Sequence, residues 1–242
     1  MNKYLYALLL SLFIFIPSVK AESYYSNNNG VELTEKQYNY ISELFYDGYQ
    51  DTMTIDEVEK MERLNLFNQP IESKDSNDII DSAIVPRGSS LTNGGRTLKI
   101  SKSCSTECLV TLKATWSLIP NVYSYDVIGF RLTSGTITQM NKATVRGNGY
   151  TADYPASYAQ QSGNGYGHSV QISNVSNLVV ATSMYATTGG TAYGSYQHAM
   201  SNISLANSKL YTIGAGGYGY VFNFYGAAVG VYDGIGGVDK SL

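Results

Sequence analysis

Between residues 108 and 118, apolar side chains fall on Val110, Leu112, Ala114, Trp116 and Leu118, and polar ones on Thr111, Lys113, Thr115 and Ser117. Successive side chains of a strand point to opposite faces, so this alternation predicts a strand with one dry face and one wet face. Cys104 and Cys108 stand at its head, separated by Ser105, Thr106 and Glu107, which fit a hairpin loop. Setting Cys104 opposite Cys108 brings Ile100 to Leu112 and Leu98 to Ala114, so the apolar faces of two strands coincide. The same register brings together two thiols that an extended chain would hold roughly 13 Å apart. The pattern therefore predicts a Cys104–Cys108 disulfide and a core Trp116 lying between two sheets beside Val110 and Leu112.

Similar patterns continue to the end of the chain. Residues 123–132 are apolar on both faces, the mark of a central, doubly covered strand. Further strands are expected at Thr136–Val145, Ser169–Val175, Leu178–Thr187, Thr191–Ala199, Lys209–Ile213 and Tyr220–Tyr225. Gly189-Gly190 reads as a hairpin turn between two of them. About eight to nine strands punctuated by Gly, Asn and Ser predict an antiparallel β-sandwich or barrel over residues 97–242.

The period changes upstream, over residues 22–69. Thr34 and Gln37 form a capping box, with Leu33 and Tyr38 as its hydrophobic staple and Tyr38, Ile41 and Phe45 at helical spacing. Asp47-Gly48 suits the end of that helix. Thr54 and Glu57 form a second box, stapled by Met53 and Val58, followed by an apolar stripe of Ile55, Val58 and Met61. These signals predict an N-terminal αα-hairpin. Residues 70–96 are polar and Gly-rich and read as a flexible linker. Residues 1–21, with Lys3, an apolar run from Tyr4 to Ile16 and Val19-Lys20-Ala21, have the form of a secretory signal peptide of bacterial type. The expected location is extracellular, where a disulfide persists.

The total charge of −3 hides an asymmetry. Residues 22–85 carry fourteen acidic and four basic side chains, and residues 86–242 carry five and ten. This split makes the helical segment either an independent module or a removable cover, released by tryptic cleavage at Arg87. The basic excess is too dispersed for a nucleic-acid stripe, so no nucleic acid is expected as partner.

Candidate chemistry is sparse. Motifs for nucleophilic, metal or phosphate chemistry are missing, and the aspartate–glycine spacing after residue 47 lacks the order of a calcium loop. The two histidines, His168 and His198, with Asp126, Asp153 and Asp233, form no recognisable triad. No catalytic residue, metal or cofactor is assigned. Tyrosine is the distinctive residue, twenty-two in all, with fourteen in residues 97–242 and many beside glycine. A flat ring with a hydroxyl suits recognition. Tyr150, Tyr154, Tyr158, Tyr166 and His168 are thus the candidate ligand-binding residues, for a cell-surface glycan, cell wall or protein. Two alternatives remain: a pore-forming toxin inserting residues 178–200 into a membrane as a β-hairpin, and a secreted hydrolase without a recognisable motif.

Overall fold

A computed structural model describes residues 23–75, 96–120, 125–199, 211–213, 222–224 and 232–242. The signal-like residues 1–21, the Arg87 site and residues 214–220 lie outside the described residues. A ribbon of β1 (Tyr24–Ser26) and β2 (Glu32–Thr34) leads into α1 (Glu35–Leu44), and a 3-10 turn at Gln50–Thr52 precedes α2 (Ile55–Arg63). The strands that follow are β3 (Glu72–Asp75), β4 (Arg96–Cys104), β5 (Glu107–Trp116), β6 (Tyr125–Leu132), β7 (Ile137–Gly147), β8 (Tyr150–Tyr154), β9 (Gln160–Ser162) and β10 (Gly165–Gln171). The last five are β11 (Val179–Thr187), β12 (Thr191–Ala199), β13 (Tyr211–Ile213), β14 (Phe222–Phe224) and β15 (Tyr232–Ser241). One sheet runs β3-β4-β5-β11-β7-β8, the other β15-β12-β6-β10-β9, and β13 pairs with β14 in a small ribbon.

The two large sheets form the expected antiparallel sandwich. Cys104 faces Cys108, Ile100 faces Leu112 and Leu98 faces Ala114, and the two cysteines are bonded. Val110, Leu112, Ala114 and Trp116 project into the core shared with Val127, Ile128, Phe130 and Tyr196 of the opposite sheet. The doubly apolar β6 is central, between β12 and β10. The indole Nε1 donates to Tyr196 Oη at 3.3 Å, joining the sheets through the core.

Gly189-Gly190 does not make a hairpin. β11 pairs with β5 and β7, whereas β12 pairs with β15 and β6, so the turn carries the chain from one sheet to the other. Both glycines have positive φ, 93° and 88°, the freedom that lets the chain change layers there. Turn residues reveal a reversal; they do not reveal which strand each arm will pair with. The hairpin expected at 178–200 is thus two strands buried in two different sheets. Residues 150–168, which carry the five candidate binding residues, are mostly extended: β8, a 3-10 turn at Ala156–Tyr158, β9 and the start of β10.

Both helices start at the expected capping boxes, with Thr34 accepting from Gln37 N and Thr54 from Glu57 N. Of the expected stripe on α2, Val58 and Met61 are buried but Ile55 remains 53% exposed. The helices lie on the outer face of the six-stranded sheet, where Ile41, Leu44, Met61 and Leu66 share one cluster with Leu109 of β5 and Ala181 and Tyr185 of β11. The expected wet face of β5 is therefore partly covered: Thr111 is 2% exposed and its hydroxyl donates to Leu44 O at 2.6 Å. Tyr46 Oη and Thr144 Oγ1 meet at 2.9 Å, and Ser105 Oγ donates to Leu64 O. Residues 72–75 of the stretch read as linker form β3, paired with β4.

Two outcomes follow. Trp116→Ala removes a core indole and is expected to destabilise the fold by about 3–5 kcal/mol, read by urea unfolding. Tryptic nicking at Arg87 is expected to leave the N-terminal helical fragment associated with the sandwich on gel filtration, because separation would expose the shared cluster. Elution of two separate folded fragments would contradict that shared core.

Candidate functional site

The five residues singled out from sequence are not gathered into one surface. Tyr166 and His168 lie on β10 and are buried, at 0% and 1% exposure. Tyr166 Oη donates to Ser183 O and lies 3.1 Å from Thr182 Oγ1. His168 Nε2 is 3.1 Å from Asn141 O, which accepts, so the ring carries its proton on Nε2; Nδ1 has no hydrogen-bond partner among the described residues. Tyr150 and Tyr154 are half-buried and both hydroxyls donate to Gln171 O, at 3.2 and 3.3 Å. They bridge edge strand β8 to β10 of the opposite sheet. Only Tyr158 stands in solvent, 73% exposed on its 3-10 turn. The signal that misled is the glycine context. Gly165 and Gly167 flank Tyr166 on a strand, and Gly167 sits opposite Gly129, where an added Cβ would lie 2.2 Å from Tyr166 O.

A second group of polar residues is buried within the sandwich. Asp126 is fully buried; Tyr196 Oη donates to its Oδ2, and His198 Nδ1 is 3.0 Å from both carboxylate oxygens. The His198 ring packs edge-on against Trp116 with centroids 4.6 Å apart. A carboxylate orienting an imidazole is a familiar catalytic pairing. Here its described partners are core side chains from β5, β6 and β12, so what it evidently does is lock strands together.

A concave feature lies where α2 crosses the sheet. A cleft of about 180 Å³ has buried Tyr49, Met53, Met61 and Tyr185 as its floor, with Asp56, Glu57, Arg63, Gln139 and Asn141 around the rim. Phe45 and Tyr49 stack at 4.0 Å beside it. Lys60 occupies the middle. Its Nζ sits 3.8 Å above the Tyr185 ring, donates to Gln139 Oε1 at 2.7 Å and is 3.8 Å from Glu107 Oε2. Partial burial holds its ammonium below the usual lysine range, with Glu107 pulling the other way. Burial also pushes the Tyr49 and Tyr185 hydroxyls up, so both are neutral donors at any ordinary pH. An apolar floor with a few convergent polar groups is the general form of a binding cleft. Its lining comes from four separate chain regions, so no local motif could have marked it. The one available signal was Lys60, polar within the run Val58 to Met61 of an amphipathic helix.

No family model matches the sequence, and no curated protein matches it. Among solved structures, the chain is similar to the collagen binding subdomain, ACE19, of the Enterococcus faecalis surface protein ACE. The likeness covers 38% of this chain and 76% of that one, at 8% sequence identity and a TM-score of 0.29. At that level it carries neither fold nor function across.

His168 gives the site region a measurable acid response. Burial depresses its pKa from 6.5 to about 4, with the Asn141 carbonyl opposing. Between those values the unfolded chain binds a proton that the folded chain does not, so stability falls as pH drops through that window. The contribution, fully present above the unfolded value, amounts to roughly 3 kcal/mol when wholly lost. His168→Gln keeps a donor for Asn141 and is expected to flatten this part of the stability profile, measured by urea unfolding between pH 7 and pH 4. An unchanged slope would place the acid sensitivity on other groups.

Proposed function

We propose that this chain is a secreted, non-catalytic recognition protein that holds a cell-surface glycan or protein segment in the cleft between α2 and the six-stranded sheet. The observation that carries the reading is the Lys60 environment: an ammonium over the Tyr185 ring, hydrogen-bonded to the Gln139 amide and 3.8 Å from the Glu107 carboxylate. Such a site offers an aromatic surface, the cations Lys60 and Arg63, and several hydrogen-bond partners. The cleft is smaller than the ~300–1,000 Å³ of pockets that enclose whole small molecules. It suits one sugar ring or one side chain of a larger ligand. The signal-like N-terminus and the disulfide support an extracellular setting.

Binding to glycan, cell-wall and protein arrays tests the proposal. Lys60→Ala combined with Gln139→Ala is expected to weaken the captured ligand by roughly tenfold or more, about 1.4 kcal/mol, with little change in melting temperature. Undiminished binding by this folded variant would remove the cleft from consideration. Leakage of liposomes by the parent chain, with no array binding, would instead favour a membrane-active protein.

A further inference from the structure

The same sheet face carries a second feature, away from the cleft. Lys99 of β4 lies directly opposite Lys113 of β5, on the face that also presents Thr111 to the helices. Cross-strand partners on one face have Cβ atoms about 5 Å apart, and like charges so placed destabilise the pair. Both lysines are half-buried. Burial, with Lys99 beside it, holds the Lys113 ammonium below the usual lysine range, and Asp75 only partly opposes this. Neither ammonium makes a hydrogen bond or ion pair with any described residue. The like-charge pairing costs folding energy, and the carboxylate nearest to it in the register, Asp75 opposite Lys99, offsets that cost only in part.

Its surroundings are rich in donors. Thr97 and Thr115, opposite each other and two residues along the same strands, place hydroxyls on this face roughly 7 Å away. Ala181 lies beside Lys113 in the register and is itself buried in the cluster shared with the helices, so the lysine pair sits at the border of that cluster. The acidic groups of this rung stand at its two ends. Asp75 is paired in register with Lys99, and Asp153, at the far end, is bound to Arg146 at 2.5 Å. Two ammoniums and two hydroxyls in one shallow patch match a tetrahedral oxyanion, which offers acceptors and no donors.

We propose that Lys99 and Lys113 form a binding site for sulfate or phosphate ester groups carried on a polyanionic polymer. The site is separate from the Lys60 cleft and stands or falls independently of it.

Titrating the full chain with dextran sulfate, with polyphosphate and with neutral dextran tests this, the first two arms distinguishing a sulfate from a phosphate source. One or both charged polymers are expected to bind, and binding should weaken at least about tenfold between roughly 0.05 M and 0.5 M salt as the charges are screened. Lys99→Gln with Lys113→Gln should lose at least about tenfold in affinity at low salt while melting no lower than the parent, since a repulsion has been removed. Lys60→Ala should bind these polymers as the parent does. The proposal is overturned if neither charged polymer binds the parent chain, if neutral dextran binds as well, or if the double lysine variant binds undiminished. A double variant that melts several degrees lower with polymer binding intact would assign the lysines to supporting the nearby C-terminal end of α1 instead.

Discussion

The six-stranded sheet is covered on both faces, yet its outer face is built from serine and threonine as much as from apolar residues. Hydroxyls there need partners, and two find them in helix ends. The last turn of a helix leaves carbonyls without intrahelical donors. Thr111 donates to Leu44 O at the end of α1, and Ser105 donates to Leu64 O at the C-cap of α2. Each helix thus satisfies at the sheet what it cannot satisfy in itself. Tyr46 and Thr144 repeat the exchange from side chain to side chain. The acidic segment is held by this reciprocity as much as by Leu109, Ala181 and Tyr185, which explains how so charged a stretch can share a core with the sandwich.

The two open sides of the sandwich are closed by different chemistry. At the β8 side, Tyr150 and Tyr154 converge on the Gln171 carbonyl, and Gln171 N returns a bond to Tyr154 Oη at 2.7 Å. At the opposite side, Glu72 of edge strand β3 stands between Lys102 of its own sheet, at 3.6 Å, and Lys240 of β15, at 3.0 Å. The tyrosine bridge is apolar over most of its surface and indifferent to salt. The Glu72 bridge is exposed and screened by ions, so it contributes direction more than strength. Tyrosine is abundant here partly because a ring can fill a core edge while its hydroxyl meets the backbone of the facing sheet.

Local alternation carried much of the architecture. The Cys104–Cys108 register, the inward Trp116, the central β6 and both capping boxes were all readable, because each depends on residues within a dozen positions of one another. What escaped was decided at longer range. Gly189-Gly190 marks a reversal equally well for a hairpin or for a change of sheet. Tyr166 and His168 sit among glycines that read as a recognition surface and are instead room for close strand packing around Gly129. The cleft at Lys60 draws on the link between α1 and α2, on α2, β7 and β11, and the Lys99–Lys113 pairing appears only once the hairpin register is drawn with charge in mind.

The change of sheet at Gly189-Gly190 also orders events in time. β4 and β5 can zip together as soon as both exist, being neighbours in the chain. β11 cannot be placed that way, since it inserts between β5 and β7, and β12 waits for β15 to cover its outer edge. Most stabilising contacts therefore close large loops, and chains of that kind fold on the millisecond-to-second scale, not in microseconds. During that interval β5 would expose an unpaired edge with Leu112 and Trp116 beside it. A nascent chain in this state is where a folding helper would have most to protect.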